Sequence, residues 1–262
     1  MTKLCANLTM LFGELDFLDR FEAASNAGFK AIEFLFPYAY EKAQLADLLG
    51  KHGLTQVLHN LPAGDWAKGE RGIACLPDRV GEFQEGVGTA IDYAHALGCK
   101  QLNVLAGIAP SDVAADQVRS TLVANLKFAA TQLAAAGIRL LIEPINTYDI
   151  PGFYVTGTQQ TLELIDACGS DNAYLQYDIY HMQRMEGELA ATIQKHLPRI
   201  AHIQLADNPG RNEPGTGEIN YPFLFAHLER IGYDGWVGCE YKPASTTTAG
   251  LGWAASYLQP SA

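Results

Sequence analysis

Leu140-Leu141-Ile142-Glu143 is a short apolar run that stops on a carboxylate, and three later stretches repeat the design: Tyr174-Leu175-Gln176-Tyr177-Asp178, His202-Ile203-Gln204 and Trp236-Val237-Gly238-Cys239-Glu240. Their last residues are 35, 26 and 36 positions apart (143 to 178, 178 to 204, 204 to 240). One strand-plus-helix unit of an eight-unit barrel takes roughly 30 residues, and all strands of such a barrel end at one mouth. The pattern therefore predicts an α/β fold of the (β/α)8 TIM-barrel type, with Glu143, Asp178, Gln204 and Glu240 converging on one metal ion. Taken singly, Glu143 or Asp178 reads equally well as a salt bridge or a helix cap. Recurrence at consecutive strand ends is what favours a shared site. Three carboxylates and an amide are hard oxygen donors, which suit Mg²⁺ or Mn²⁺ better than a thiolate-seeking metal.

The same alternation extends outward over the chain. Strands are expected at 3–8, 31–36, 55–59, 100–105, 139–143, 174–178, 201–205 and 236–240. Helical periodicity fills 14–27, 40–52, 79–98, 114–136, 158–168, 187–197, 221–231 and 245–258. Gly28, Gly53, Gly98 and Gly137 each follow a helical stretch, as left-handed C-terminal caps do. No Pro-, Gly- or Ser-rich linker divides the chain, so residues 1–262 read as one barrel domain. The stretch from His59 to Pro77 far exceeds the about two to six residues of a βα loop. It reads either as a lid or as a packed excursion over the rim.

With 262 residues, 48% of them hydrophobic, the chain can fill a full barrel core. Its net charge of −11 argues against a nucleic-acid surface and requires a local cationic patch for any anionic substrate. Five cysteines without a CxxC pair argue against a disulfide framework. No signal-peptide core and no run of about 18 apolar residues occurs, so a cytoplasmic protein without membrane contact is expected. A homo-oligomer is compatible with these properties.

Longer motifs carry a resemblance. His59-Asn60-Leu61-Pro62-Ala63-Gly64-Asp65-Trp66, Gly69-Glu70-Arg71-Gly72-Ile73-Ala74-Cys75, Ile142-Glu143-Pro144-Ile145-Asn146, the segment Gln176 to Gly187, and Glu213-Pro214-Gly215-Thr216-Gly217-Glu218-Ile219 resemble the hydroxypyruvate isomerase family. Asp207-Asn208-Pro209 and the segment Trp236 to Pro243 extend the likeness over nearly the whole chain. That family lies within the xylose isomerase-like barrel superfamily, alongside ketose 3-epimerases, inosose dehydratases and an endonuclease branch. The resemblance implies a divalent metal held by Glu143, Asp178, Gln204 and Glu240, with Glu143 and Glu240 also the acid/base pair. Ketose epimerases usually carry histidine where this chain has Gln204. An amide oxygen is harder than imidazole and does not titrate near neutral pH, which makes the site less attractive to Zn²⁺.

Around that set, His181 resembles a substrate-orienting histidine in its Asp-x-x-His spacing, and Arg211 resembles a substrate-contacting arginine. Arg71 and Lys242 are further candidates to hold the substrate, because three carboxylates and one divalent ion leave about −1 at the site. Arg184 lies near the same mouth. His59 is a candidate polar contact on the facing wall, with a purely structural role as the alternative. His202, two residues before Gln204, should face inward and deeper, where hydrogen bonds would bury it in the core. Trp66 and Phe12 either shield the site or simply pack, and Asn7 is equally ambiguous.

The implied reaction interconverts hydroxypyruvate and tartronate semialdehyde through an enediolate, with a small anionic sugar acid as partner. The alternative is a longer 2-oxo acid such as 2-oxotetronate; a ketose 3-epimerase is disfavoured by Gln204. A DNA endonuclease would need a basic rim and more His and Asp ligands. A non-catalytic binder would not need all four ligand positions filled.

Overall fold

A computed structural model describes residues 1–258. Among them, eight parallel strands close a barrel in sequence order: β1 (Lys3–Asn7), β2 (Ala31–Glu33), β3 (Thr55–Asn60), β4 (Gln101–Val104), β5 (Arg139–Ile142), β6 (Ala173–Asp178), β7 (Ile200–Leu205) and β8 (Trp236–Cys239). Closure comes from β8 pairing with β1, where Lys3 to Ala6 run beside Trp236 to Cys239. The surrounding helices are α1 (Arg20–Asn26), α2 (Lys42–His52), α3 (Val80–Leu97), α4 (Ala115–Ala135), α5 (Thr158–Cys168), α6 (Ile179–Met185), α7 (Leu189–His196), α8 (Tyr221–Arg230) and α9 (Thr247–Gly250).

Helix α3 shows why these segments fold as they do. Phe83, Val87, Ala90, Ala94 and Leu97 recur at helical spacing and are all buried, giving one apolar stripe against the strands. Each large side chain so buried contributes about 1.5–3 kcal/mol. Gly98 stops the helix at φ 66°, where a side chain would be strained. Outward-facing strand residues such as Ile32, Leu102, Ile142 and Val237 join the helix faces in one large apolar cluster. A second, small cluster of Cys5, Ala31, Val57, Leu58 and Leu141 lies apart from it. Below, Lys3 stacks over Trp236 and Arg139 over Tyr174, closing the N-terminal end.

Four elements differ most from expectation: the strand expected at 31–36 stops at Glu33, the helix expected at 14–27 is a 3-10 turn at Phe17–Asp19 leading into α1, and two others change more. Helix α6 starts directly at the end of β6, with no loop, because Asp178 is its N-cap and accepts the backbone N–H groups of Tyr180 and His181. The expected helix at 245–258 is instead the single turn α9 followed by a 3-10 turn at Leu251–Ala254.

The His59–Pro77 excursion is packed. Leu61, Ala63, Ile73, Ala74 and Cys75 are buried, Cys75 N–H bonds Ala106 O, and Asn125 Nδ2 bonds Ala74 O. Gly72 (φ 115°) and Gly107 (φ 104°) cross with their backbones in contact, where a Cβ on either would strike the other segment's carbonyl. Only the tip around Trp66 stands at the mouth, its ring tilted against Phe36 and beneath the Arg71 guanidinium.

Candidate active site

Three acidic side chains meet at the C-terminal end of the barrel. Asp178, fully buried at the end of β6, spends Oδ1 on capping α6, while Oδ2 has no hydrogen-bond partner. Glu143 follows β5 and accepts from Asn103 Nδ2 through Oε2 at 3.1 Å. Glu240 follows β8 and accepts from Arg211 Nη2 through Oε1 at 2.9 Å, and from Gln204 Nε2 through Oε2. His181 completes the group, with Nε2 3.8 Å from Glu143 Oε1 and 3.7 Å from Asp178 Oδ2. Its closeness to Asp178 follows from the Asp-x-x-His spacing, which places histidine at the third helical position above its own cap.

Burial without a cation is costly for these groups. It raises the Glu143 carboxyl well above its ordinary range, with the Glu240 and Asp178 charges adding to the effect. It raises Asp178 to about 6 and Glu240 to about 8, although Arg211 pulls both the other way. An unpartnered buried oxygen among mutually repelling carboxylates is what a missing positive charge leaves behind, so these residues fit a divalent ion. Glu143, Asp178 and His181 also offer ligand atoms all within 4.8 Å of one another.

Gln204 reaches the site with its nitrogen rather than its oxygen. Nε2 donates to Glu240 and, at 2.7 Å, to Glu33 Oε1, while Oε1 accepts from Gln176 Nε2 at 2.6 Å. Ligation by Gln204 therefore requires its amide to turn. Beneath it, Glu33 takes hydrogen bonds from Asn7 Nδ2 at 2.9 Å and from His202 Nε2 at 2.7 Å. Burial opposes its charge, yet the His202 charge and hydrogen bond, with those of Gln204 and Asn7, hold its carboxyl below the ordinary value. His202 is thus the deep, bonded histidine expected, and Asn7 faces inward. Glu33 was missed, although Ala31-Ile32-Glu33 carries the same apolar-then-acid signal as three of the four later runs.

His59 requires a correction. Its ring is fully buried beside Tyr38 on the outer side of β3, because Asn60, the next residue, faces the barrel and bonds Asn103 Nδ2. Period-two alternation then sends His59 to the helix layer. Burial lowers its pKa to about 4, and the contact with substrate has no geometric basis. Phe12 likewise packs, buried with its N–H on Thr247 Oγ1.

The cavity has two parts. An inner chamber of about 80 Å³ is lined by Asn60, Glu143, His181, Arg211 and Glu240. It opens, past Met10, Leu35, Trp66 and Ile150, into a vestibule of about 720 Å³ that carries Arg71, Arg184 and Lys242. Arg211 lines both and spans Glu240 and Asp149, 3.6 Å from the latter. Among the described residues, neither Arg71 nor Lys242 is ion-paired, so both can face an anion. The structure therefore gathers Glu143, Asp178, His181, Arg211 and Glu240 tightly, keeps Arg71 and Lys242 at the entrance, and excludes His59.

Residues 21–258 match the family described as xylose isomerase-like TIM barrel. The chain belongs to that family. Within it, the chain is 57% identical to the hydroxypyruvate isomerase of Escherichia coli (strain K12) over 98% of its own length and 100% of the relative's. It is 46% identical to a 2-oxo-tetronate isomerase of Cupriavidus necator, covering 98% of this chain and 99% of the other. A solved structure named AP endonuclease, family 2, from Brucella melitensis superposes with a TM-score of 0.97 at 43% identity, covering 99% and 100% of the two chains. The family's barrel is thus complete here, and this chain's close curated relatives are isomerases. Among the described residues, no helix is long and apolar enough to cross a membrane.

Proposed function

We propose that the protein interconverts hydroxypyruvate and tartronate semialdehyde (2-hydroxy-3-oxopropanoate). The observation that carries this is the inner chamber lined by Glu143 from one side and Glu240 from the other, a pair able to take a proton from one carbon and return it to its neighbour. Glu143 keeps Oε1 clear of hydrogen bonds, whereas both oxygens of Glu240 are engaged. Starting from hydroxypyruvate, we therefore assign abstraction at the hydroxyl-bearing carbon to Glu143 through Oε1 and delivery to the adjacent carbon to the protonated form of Glu240, which burial favours; the substrate's hydroxyl proton passes from its C3 oxygen to its C2 oxygen, so that the carbonyl moves and the product is tartronate semialdehyde. The enediolate formed between these steps is anionic and needs nearby positive charge and donors. Arg211 and His181 face the chamber from opposite partners of the acid pair, and Arg71 and Lys242 draw the anionic acid in from the vestibule. Trp66, over the passage, limits water around the reacting carbons.

A divalent ion, Mg²⁺ or Mn²⁺ by donor hardness, would be held by Glu143, Asp178, Glu240 and the turned Gln204 amide, and when bound supplies Lewis-acid stabilisation of charge on the substrate oxygens. The five cysteines are buried and unpaired, which supports a reducing, cytoplasmic setting. A net charge of −11 speaks against a nucleic-acid substrate.

A second substrate is favoured by the vestibule, whose volume leaves room for the extra carbon of 2-oxotetronate. Proton NMR in D₂O with Mg²⁺ or Mn²⁺ and each acid in turn separates the two: the preferred acid is consumed faster and takes up deuterium at the carbon that receives the proton. Turnover of neither acid would overturn the assignment.

A further inference from the structure

Asn146 lies three residues beyond Glu143 and is fully buried. Its Oδ1 accepts the backbone N–H groups of Tyr148 at 3.0 Å and Asp149 at 2.8 Å. Two backbone donors tolerate only an acceptor, so the orientation of the amide is fixed. Its nitrogen must then face the other way, where Nδ2 lies 3.2 Å from Asp149 Oδ2 and 2.6 Å from His181 Nδ1. An amide NH₂ can only donate. Nδ1 of His181 is therefore the acceptor, and the single proton of a neutral imidazole sits on Nε2.

We propose that Asn146 is a positioning residue that holds His181 in the Nε2–H tautomer, making the histidine a hydrogen-bond donor into the inner chamber. The tautomer follows from the hydrogen bonds alone; the donation to a substrate oxygen rests on the isomerase assignment above. A consequence concerns the metal. A neutral histidine that ligates through Nε2 carries its proton on Nδ1, and here that proton would collide with the Asn146 NH₂. Although His181 lies within ligand distance of Glu143 and Asp178, it is kept out of the ligand set. Its Nε2–H points between them, towards the place where substrate oxygens develop charge.

Asn146→Asp tests this with almost no change of shape. One carboxylate oxygen keeps the two backbone donors, and the other replaces the NH₂ by an acceptor, which moves the ring proton to Nδ1. Histidine labelled with ¹⁵N in chelator-treated protein reports the tautomer directly through two-bond proton–nitrogen correlations. In the wild type, His181 should show an unprotonated Nδ1 and a protonated Nε2; the variant should show the reverse. The freed Nε2 lone pair should also raise the affinity for Zn²⁺ alone, measured by calorimetry, by about tenfold or more. With hydroxypyruvate, kcat should fall roughly a hundredfold, the order lost with one preorganised donor, with little change in KM.

A wild-type His181 protonated on Nδ1 overturns the proposal without need of any variant. So does an Asn146→Asp protein whose His181 stays singly protonated on Nε2, or one that switches tautomer yet retains wild-type kcat. If the wild type shows Nε2–H but turns over neither acid, the tautomer assignment is supported and the isomerase assignment is what fails.

Discussion

Gly238 on β8 lies against the carboxylate of Glu33 on β2: a Cβ at position 238 would overlap both oxygens and the carbon that joins them. The missing side chain is the space in which Glu33 sits to bond Asn7, His202 and Gln204. Gly238→Ala should displace Glu33 from those partners. Separating a buried charge from its partner typically costs about 3–5 kcal/mol, so stability should fall by about that amount in urea unfolding. An unchanged midpoint would show that Glu33 is held elsewhere.

Glu240→Gln keeps the size of the side chain and loses the proton-transferring group. The variant should fold, and the Arg211 contact should weaken because an amide replaces its anionic partner. Positioned acid–base groups contribute about 10²–10⁴ in rate, so kcat should drop by roughly three orders while circular dichroism stays the same. Full activity would remove Glu240 from the reaction.

Stability of chelator-treated protein should depend on pH in a defined direction. Burial raises Asp178 to about 6 and Glu240 to about 8, whereas both titrate near 4 in an unfolded chain. The folded state therefore holds protons that the unfolded state has released, and stability falls as pH rises from about 4 to about 8. Glu33, held below its ordinary value, acts oppositely: its contribution is present at higher pH and is lost on acidification. A divalent ion replaces the protons on the acid cluster, so the rise in Tm on adding Mn²⁺ should be larger at about pH 8 than at about pH 5. An ion-induced rise that is the same at both would contradict the assignment of these carboxylates as ligands.

Arg71 stands at the entrance, stacked on Trp66 with its guanidinium 4.2 Å from the ring centroid, and does not touch the acid cluster. Arg71→Ala should raise KM for an anionic acid by about tenfold and leave kcat within about twofold, the mark of lost uniform binding. A selective fall in kcat would place Arg71 at the reacting carbons.

The strands were legible because each is a brief apolar run bounded by helical periodicity, and the four later site residues because they close such runs. Glu33 closed one too, but β2 is only three residues long and stands outside the cluster of runs in the second half. His59 illustrates a different difficulty. Either His59 or Asn60 could have faced the barrel, and nothing local to the sequence states the phase of alternation; the Asn60–Asn103–Glu143 chain sets it in space. Helix α6 escaped notice because Asp178 serves as strand end, helix cap and site residue at once. The tautomer of His181 depends on two backbone N–H groups in a loop, which no residue pattern encodes.

The crossing of Gly72 and Gly107 shapes the entrance. With the long β3 excursion stapled to the end of β4, its body forms a fixed wall of the passage to the acid pair, and the exposed turn at Trp66 is the part of it that stands beyond that staple. At that entrance the net charge of −11 repels an anion from afar while Arg71, Arg184 and Lys242 attract it at close range, so added salt screens two opposing effects at once.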